Sequence, residues 1–321
     1  NGAAAHSLAL SFQPQTTMGH QTPKATIARR TFLQALASGV TGAGLLDSSG
    51  KSSAAEPNAN SLAFGLVTDV HYADAPPGGS RHYRDSLAKL QQAVAAFNQR
   101  KLAFVAELGD FVDAGPSKAK EIEHLHAVDK VYQAFQGPRH YVLGNHCLHA
   151  FTKDEFLANC GAAVKKSYYS FDSAQFHFVV LDANFRRDGT PYAAGNFSWT
   201  DTWIHPPQQR WLADDLRQAA GKKTFVFLHQ NLHHEDNPHG VKNAPQVRRV
   251  LETAGNVVAV FQGHMHTGGY AKLGGIHYCT LKAMVEGPTL ENNAYAVVTL
   301  DASGAFTLQG HGRQPPLPPS Q

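Results

Sequence analysis

Five short segments of the chain place carboxylate, amide or imidazole side chains just after an apolar stretch. In chain order they are Asp69-Val70-His71, Gly109-Asp110-Phe111-Val112-Asp113, Gly144-Asn145-His146-Cys147, His229 and Gly263-His264-Met265-His266. The candidate metal ligands in these segments are Asp69, His71, Asp110, Asn145, His229, His264 and His266. So many nitrogen and oxygen donors exceed one tetrahedral site and suit two divalent transition metals that share a carboxylate. The chemistry that this set predicts is metal-assisted hydrolysis.

The spacing within the segments indicates that the ligands form one cluster. In Asp69-Val70-His71 and in His264-Met265-His266, one residue separates the two polar side chains. Alternate residues of an extended chain point the same way, so both members of each pair can face the same centre. Glycine stands before the ligands at positions 109, 144 and 263. A glycine at such a position allows a sharp turn and a close approach of metal or phosphate.

The elements that must position these residues alternate between strand and helix patterns. Apolar runs predict strands at 63–67, 102–108, 141–143, 225–228 and 257–261, a hairpin at 168–171 and 176–181, and strands at 276–281, 295–300 and 305–309. Helical spacing predicts helices near 87–97 and at 118–135, 208–219 and 244–253. This alternation is typical of an α/β fold with mixed sheets, in which ligands bind beyond the carboxyl ends of the strands.

All five segments, in this order, resemble the pattern of the calcineurin-like metallophosphoesterase superfamily: Asp-x-His, Gly-Asp-x-x-Asp, Gly-Asn-His-Asp/Glu, His and Gly-His-x-His. The resemblance spans residues 62–313. It implies two mixed β-sheets in a sandwich flanked by α-helices. It also implies hydrolysis of a phosphate ester or phosphoanhydride by attack of a metal-bound hydroxide on phosphorus.

The resemblance assigns a role to each candidate residue. The expected ligands of the first metal are Asp69, His71 and His266, those of the second are Asn145, His229 and His264, and Asp110 bridges the two. His146 is expected to face the substrate and give a proton, or a hydrogen bond, to the leaving oxygen. Manganese is the metal that we expect, although the ligand set also admits iron, zinc or cobalt.

The sequence departs from the superfamily pattern at Cys147, where an acid normally follows the histidine. A thiol orients that histidine poorly, and Asp113 is a neighbouring acid that can replace it. Asp113 also stands where purple acid phosphatases have a metal-binding tyrosine, which disfavours that group. Cys147 and Cys160 either form a disulfide in an oxidising compartment or, with Cys279, are buried thiols.

A narrower resemblance links the chain to the manganese-dependent ADP-ribose/CDP-alcohol diphosphatase group. The segments that carry it are 65–74, Tyr83-Arg84-Asp85-Ser86-Leu87, 263–270 and Gly310-His311-Gly312-Arg313. The expected substrate is a small phosphodiester or nucleoside diphosphate. Arg84, or Arg81, is a candidate to hold a second phosphate, and Tyr270 a candidate to stack on a base, although a helix surface and core packing are the commoner fates. The alternatives are a broad alkaline-type phosphomonoesterase and a non-catalytic metal-dependent scaffold.

The ends of the chain differ in composition from the rest. Ala28-Arg29-Arg30-Thr31-Phe32-Leu33-Gln34 and the mild apolar run after it resemble a twin-arginine export signal in a disordered leader, residues 1–55. We therefore expect the twin-arginine machinery as a partner and a periplasmic or extracellular location for residues 56–313, followed by a disordered proline-rich tail at 314–321. The net charge of +3 belongs to the leader, so no nucleic-acid surface is expected. The sequence has no uninterrupted run of eighteen apolar residues, so we expect no stable membrane insertion.

Overall fold

A computed structural model describes residues 61–233 and 237–317 of the chain. The predicted export signal lies outside the described residues, so export stays a prediction. Within the described residues, no helix is both long enough and apolar enough to cross a membrane.

The strands are β1 (Leu62–Val67), β2 (Phe104–Glu107), β3 (Arg139–Tyr141), β4 (Tyr169–Ser173), β5 (Phe176–Val180), β6 (Thr224–Leu228), β7 (Val257–Gln262), β8 (Thr267–Leu273), β9 (Ile276–Lys282), β10 (Ala294–Leu300) and β11 (Phe306–Gly312). The helices are α1 (Asp85–Gln99), α2 (Lys118–Tyr132), α3 (Lys153–Asn159), α4 (Pro206–Gln218) and α5 (Ala244–Ala254). Short 3-10 turns occupy His146–Leu148 and Leu290–Asn292.

The strands form two mixed sheets. The first has the order β11-β10-β1-β2-β3, and the second has the order β4-β5-β6-β7-β9-β8. Strands β1, β2 and β3 run parallel and form one side of the first sheet, with the antiparallel pairs β1–β10 and β10–β11 on the other side. Strands β5, β6, β7 and β9 form the parallel centre of the second sheet, with antiparallel strands β4 and β8 at its margins. The parallel blocks matter for function because their carboxyl ends lie at one edge of each sheet.

An aromatic core lies between the two sheets. Phe64 of β1 stacks on Phe104 of β2 with ring centroids 4.8 Å apart, and it meets Phe178, Phe227 and Phe261 of the second sheet edge to face. All five side chains are almost completely buried. Such aromatic side chains bury large areas, and their edge-to-face contacts add stability to the packing.

Helices cover the outer faces of both sheets. The buried faces of α1 and α2 pack in one apolar cluster with residues of the first sheet, and those of α4 and α5 pack in another with residues of the second. The architecture is therefore helix, sheet, sheet, helix, which confirms the predicted α/β sandwich flanked by helices.

Two elements were not predicted from the pattern. Helix α3 is short, and it begins with a capping box in which Thr152 and Glu155 satisfy each other's backbone N–H groups, a polar signal rather than an apolar period. Strand β8 is Gly-rich and largely solvent-facing, so it lacks an apolar alternation. It exists because it pairs with β9 at the margin of the second sheet.

Residues 314–317 of the proline-rich tail do not match the expected disorder, and the expectation for residues 318–321 lies outside the described residues. The backbone N–H and carbonyl of Leu317 pair with those of Leu308 on β11, and Leu317 is only 6% exposed. The side-chain oxygen of Gln314 accepts a hydrogen bond from the backbone N–H of Lys282. A single leucine that reaches the core between the sheets therefore fixes the tail as far as residue 317.

Candidate dinuclear metal centre

The candidate ligands follow the carboxyl ends of five strands. Asp69 and His71 follow β1, Asp110 follows β2 and Asn145 follows β3 in the first sheet, whereas His229 follows β6, and His264 and His266 follow β7, in the second. The backbone joins the two sheets at this edge, since the N–H groups of Met284 and Val285, which follow β9, bond to the carbonyls of Thr68 and Asp69 at 3.1 and 3.0 Å. The strand order thus brings together residues that lie up to 197 positions apart in the chain.

Four of these residues have a left-handed backbone. The φ angles are 50° at Asp69, 44° at His71, 56° at Asp110 and 69° at His264. Residues other than glycine adopt this region at a cost, and such strain is concentrated at functional sites. The carboxylate of Asp69 holds one of the turns by accepting a hydrogen bond from the His264 N–H at 3.0 Å.

Two clusters of donor atoms share this edge. In the first, Nε2 of His71 and Nε2 of His266 lie 3.6 and 3.5 Å from Oδ1 of Asp69. In the second, Nε2 of His229 lies 3.1 Å from Oδ2 of Asp110 and 3.2 Å from Nδ1 of His264. Within each of these triads the ligand atoms lie within 4.8 Å of one another.

Asp110 connects the two clusters. Its Oδ2 lies 3.1 Å from His229 in the second cluster and 3.5 Å from His71 in the first. Its Oδ1 accepts a hydrogen bond from the backbone N–H of His146 at 2.8 Å. This position between the clusters is the one that a carboxylate shared by two metals requires.

Several buried polar atoms at the centre have no hydrogen-bond partner among the described residues. They include Oδ1 of Asp69, Nε2 of His71 and Oδ1 of Asn145. A buried polar atom without a partner costs free energy. All three atoms are metal-ligand types. Those of Asp69 and His71 lie 3.6 Å apart, and Asn145 lines the same cleft as Asp110, so cations at this centre would satisfy all three. The residues present therefore fit two divalent metals.

The pKa shifts of Asp69 and Asp110 agree with the binding of two cations. Burial acts to raise the pKa of Asp69, but the neighbouring imidazoles of His266 and His71 outweigh it and hold the pKa well below its usual range. The pKa of Asp110 is also lowered, because the neighbouring His229 and His146 outweigh burial. Both carboxylates are therefore ionised at neutral pH and present negative charge to a cation.

The pKa values of the two imidazoles in the second cluster shift in opposite directions. Burial acts to lower the pKa of His229, but Asp110 and Asp69 outweigh it and raise the pKa to about 9. Burial and the neighbouring His229 lower the pKa of His264 to about 3. At neutral pH His229 therefore carries an extra proton and His264 does not. A metal must displace that extra proton, because imidazoles bind metals in their neutral form.

Each of three ligand histidines is held by its other ring nitrogen. Nδ1 of His71 lies 2.9 Å from Oδ2 of Asp113, Nδ1 of His266 lies 2.6 Å from Oε1 of Glu286, and Nδ1 of His229 lies 2.8 Å from the carbonyl of Leu108. These partners fix the ring orientation so that Nε2 faces the centre.

Asp113 also holds the expected proton donor. Its Oδ1 lies 3.1 Å from Nδ1 of His146, so one carboxylate serves both His71 and His146. Cys147 is completely buried, and its sulfur accepts a hydrogen bond from the Phe111 N–H. Burial raises the pKa of the Cys147 thiol well above its usual range, so the thiol is neutral. Cys147, Cys160 and Cys279 are all buried free thiols.

A cleft of about 140 Å³ opens over the centre. Its lining includes Asp110, Asn145, His146, His264 and His266 together with Arg81, Trp199, His239 and Met265. The two weaker substrate candidates lie elsewhere. Arg84 is exposed and bonds to Asp74 at 2.5 Å, and the Tyr270 hydroxyl bonds to His277 at 2.8 Å. Arg81, the other candidate, is the arginine in the cleft.

Sequence reasoning missed Glu286 and Trp199. Glu286 lies in an irregular segment after β9, and neither periodicity nor a motif indicates that it faces His266. Trp199 lies in a polar loop, Asn196-Phe197-Ser198-Trp199-Thr200. A large aromatic side chain in such a loop was the available signal, because loops run over the surface and carry many binding residues.

Residues 62–268 match the family model of the calcineurin-like phosphoesterases. The chain belongs to this family. It is a metallophosphoesterase, and its cofactors are two divalent metal ions, as the family and the donor clusters indicate.

Relatives and solved structures agree with this assignment. A rice (Oryza sativa subsp. japonica) protein named manganese-dependent ADP-ribose/CDP-alcohol diphosphatase is 28% identical over 271 residues, which cover 71% of this chain and 84% of the relative. The human protein of that name is 22% identical and covers 79% and 91%, respectively. The crystal structure of a dimetal phosphatase from Danio rerio has a TM-score of 0.71 at 23% identity and covers 80% of this chain and 98% of that one. That likeness shows the shared fold.

Proposed function

We propose that this metallophosphoesterase hydrolyses a small nucleoside diphosphate of the ADP-ribose or CDP-alcohol type. The observation that carries the proposal is the complete pair of donor clusters with His146 on the same cleft, held by Asp113. The names of the relatives support the substrate class. Arg81 gives a second reason, because it adds a fixed cation to the same cleft.

The proposed ligand assignment follows the clusters. Asp69, His71 and His266 would hold one metal, His229, His264 and Asn145 the other, and Asp110 both. Two divalent metals held there supply Lewis acidity, which makes water a stronger nucleophile and neutralises charge on the phosphate oxygens.

His146 assists departure of the leaving group. Asp113 occupies its Nδ1, so Nε2 is the nitrogen left to serve the cleft. As the oxygen of water bonds to phosphorus and gives up a proton to solvent, the bond to the leaving oxygen breaks and His146 gives that oxygen a proton. His146 then regains a proton from solvent. General acid catalysis of this kind typically contributes about 10²- to 10⁴-fold to the rate.

Arg81 favours a diphosphate over a monoester. Its Nη1 lies 3.6 Å from Oδ2 of Asp113, and the side chain is 28% exposed. The carboxylate of Asp113 therefore orients the guanidinium, which stays accessible to a ligand. Guanidinium groups pair well with phosphate oxygens. A diphosphate offers a second phosphate to Arg81, whereas a monoester offers only the phosphate at the metals.

The test compares substrates on the full chain loaded with Mn²⁺. ADP-ribose and CDP-choline are measured beside bis-p-nitrophenyl phosphate and p-nitrophenyl phosphate, with Asp110→Asn and His146→Ala as site variants. Asp172→Asn is the matched control, since Asp172 is an exposed acid that bonds to Lys222. We expect the diphosphates to be preferred, with activity lost in both site variants and kept in the control. Preference for p-nitrophenyl phosphate would identify a monoesterase, and no hydrolysis with two metals bound would identify a scaffold.

Export is a separate part of the proposal. The twin-arginine pattern at residues 28–34 supports an enzyme that acts outside the cytoplasm. A reporter fused to residues 1–55 would be exported by twin-arginine-competent cells. Replacement of both Arg29 and Arg30 by lysine would retain it inside, and export that is unaffected by this change would contradict the proposal.

A further inference from the structure

Trp199 is the unexplained side chain at the cleft. It is 47% exposed, whereas most large apolar side chains among the described residues are buried. It lines the same cleft as the candidate metal ligands. Its ring centroid lies 5.8 Å from that of His146 and 6.3 Å from that of His239, with tilted ring planes. An exposed indole at a reaction site needs a reason, because it gains little from burial in the free protein.

The size of the cleft indicates where most of the substrate must lie. Pockets that enclose a whole small molecule usually have volumes of about 300–1,000 Å³. The cleft here has about 140 Å³, so it encloses only the phosphate region of a nucleotide. The rest of the substrate must lie against the rim, where the contacts that distinguish one substrate from another are made.

The position of Trp199 identifies the part of the substrate that it meets. His146 gives its proton to the leaving oxygen in the proposed function, so the leaving group begins beside His146. Trp199 is the aromatic neighbour of His146 with an exposed surface, since Phe197, at 6.2 Å from His146, is only partly exposed and packs against the core. The indole is therefore the surface next to the leaving group.

The loop that carries Trp199 is anchored on both sides of it. The Tyr192 hydroxyl donates to the carbonyl of Ser198 and lies 3.0 Å from the carbonyl of Asp201. The Asp201 N–H bonds to the Ser198 carbonyl at 2.9 Å, and the Trp203 indole N–H bonds to the Asp201 carboxylate at 2.8 Å. The backbone around Trp199 is thus fixed while its ring stays exposed, which lowers the entropic cost of binding a ligand to the ring.

We propose that Trp199 is the stacking surface for the nucleobase of the leaving nucleotide. This inference rests on the proposed function, because it assumes that His146 faces the leaving group. The ligand class is a nucleoside 5′-phosphate with a flat heteroaromatic base. Aromatic side chains stack on any base, so the surface selects for the presence of a base rather than for its identity.

The test uses two probes that differ only in the base. AMP and ribose 5-phosphate carry the same phosphate on the same sugar, and their affinities are measured by calorimetry on the full chain with Mn²⁺. We expect AMP to bind at least about 10-fold more tightly, and Trp199→Ala to remove most of that preference while leaving ribose 5-phosphate within about 2-fold, as loss of one stacked base predicts. Trp199→Phe should keep part of the preference.

Trp211→Phe is the matched control, because Trp211 packs on Tyr168 at 4.9 Å and does not line the cleft. AMP should quench tryptophan fluorescence in this control and not in Trp199→Ala. Equal affinity for the two probes in the natural chain, or an AMP preference unchanged in Trp199→Ala, would overturn the inference. Because these are binding measurements, an AMP preference that depends on Trp199 in a protein that hydrolyses no diphosphate would refute the proposed function alone.

Discussion

At the scale of single residues, one carboxylate has two tasks. Asp113 bonds to His71, a candidate ligand, and to His146, the expected proton donor, through its two oxygens. Burial acts to raise the pKa of Asp113, but hydrogen bonds from His146 and His71 outweigh it and lower the pKa far below its usual range. The carboxylate is therefore ionised at neutral pH, and it can orient both rings at once.

Replacing Asp113 should weaken two functions together. In Asp113→Asn, the amide has one acceptor oxygen, so it can satisfy only one of the two Nδ1–H donors. We expect kcat to fall by about 100-fold, within the range for losing a positioned general acid, and Mn²⁺ affinity to fall by about 10-fold. Both are measured by steady-state kinetics across a Mn²⁺ titration. Asp74→Asn, at an exposed acid that bonds to Arg84, is the control, and an unchanged kcat at saturating Mn²⁺ would contradict the shared role.

Metal binding should release protons. The pKa of His229 is about 9 without metal, whereas a histidine in the unfolded chain has a pKa of about 6.5. Mn²⁺ must displace that proton, so its apparent affinity should rise by up to about 10-fold per pH unit until pH 9. Calorimetry in two buffers of different protonation enthalpy counts the protons, and release of fewer than about one at pH 7.5 would be inconsistent with this charge state.

The same shift has a consequence for the metal-free fold. A raised pKa means that the folded state holds the proton more tightly than the unfolded state does. The stabilisation from protonated His229 is therefore complete below about pH 6.5 and is lost as the pH rises through about 9. The melting temperature of chelator-treated protein should reflect this loss between those values, whereas Mn²⁺-loaded protein should not lose stability over the same interval.

At the scale of elements, glycines allow the strand ends to meet. A Cβ at Gly144 would lie 2.2 Å from both the backbone nitrogen and Oδ1 of Asp110. The turn after β3 therefore approaches the candidate bridging residue more closely than any other amino acid permits. The approach brings Asn145 and Asp110 to the same centre.

Gly144→Ala should damage the centre more than the fold. We expect the free energy of unfolding to fall by about 1–3 kcal/mol from overpacking, and Mn²⁺-dependent activity to fall by at least about 10-fold because Asp110 must move. Gly221→Ala is the control, since a Cβ there meets nothing within 4 Å. Denaturant unfolding and activity are measured for both variants, and a Gly144→Ala protein with full activity would show that the close approach has no function.

Features marked by an apolar run could be predicted from the sequence, whereas features that depend on strand pairing or tertiary packing could not. Strands β1, β6 and β7 were predictable because continuous apolar runs mark buried parallel strands, and their carboxyl ends located the candidate ligands. Strand β8 was not predictable, because its pairing with β9 rather than its own side chains makes it a strand. Glu286 was not predictable either, since the irregular segment after β9 brings it to His266 by tertiary packing alone.

At the scale of the whole molecule, the tail contributes to stability. Leu317 is 6% exposed and packs in the core between the sheets. Leu317→Ala should therefore lower the free energy of unfolding by about 2–4 kcal/mol, as large-to-small core changes do. Leu273→Ala, at a leucine that is 37% exposed, should cost less than about 1 kcal/mol. Equal stability of the two variants in denaturant unfolding would restore the expectation of a disordered tail.

The pairing of Leu317 with Leu308 also bears on self-association. Strand β11 is the outermost strand of its sheet, and such a strand presents open N–H and carbonyl groups to any other extended chain. Leu317 satisfies the backbone N–H and carbonyl of Leu308, in the middle of that strand, so these groups cannot pair with the edge strand of a second molecule. A protein shortened after residue 313 would keep its active site and leave these groups open. Loss of residues 314–317 should therefore increase self-association as the protein concentration rises.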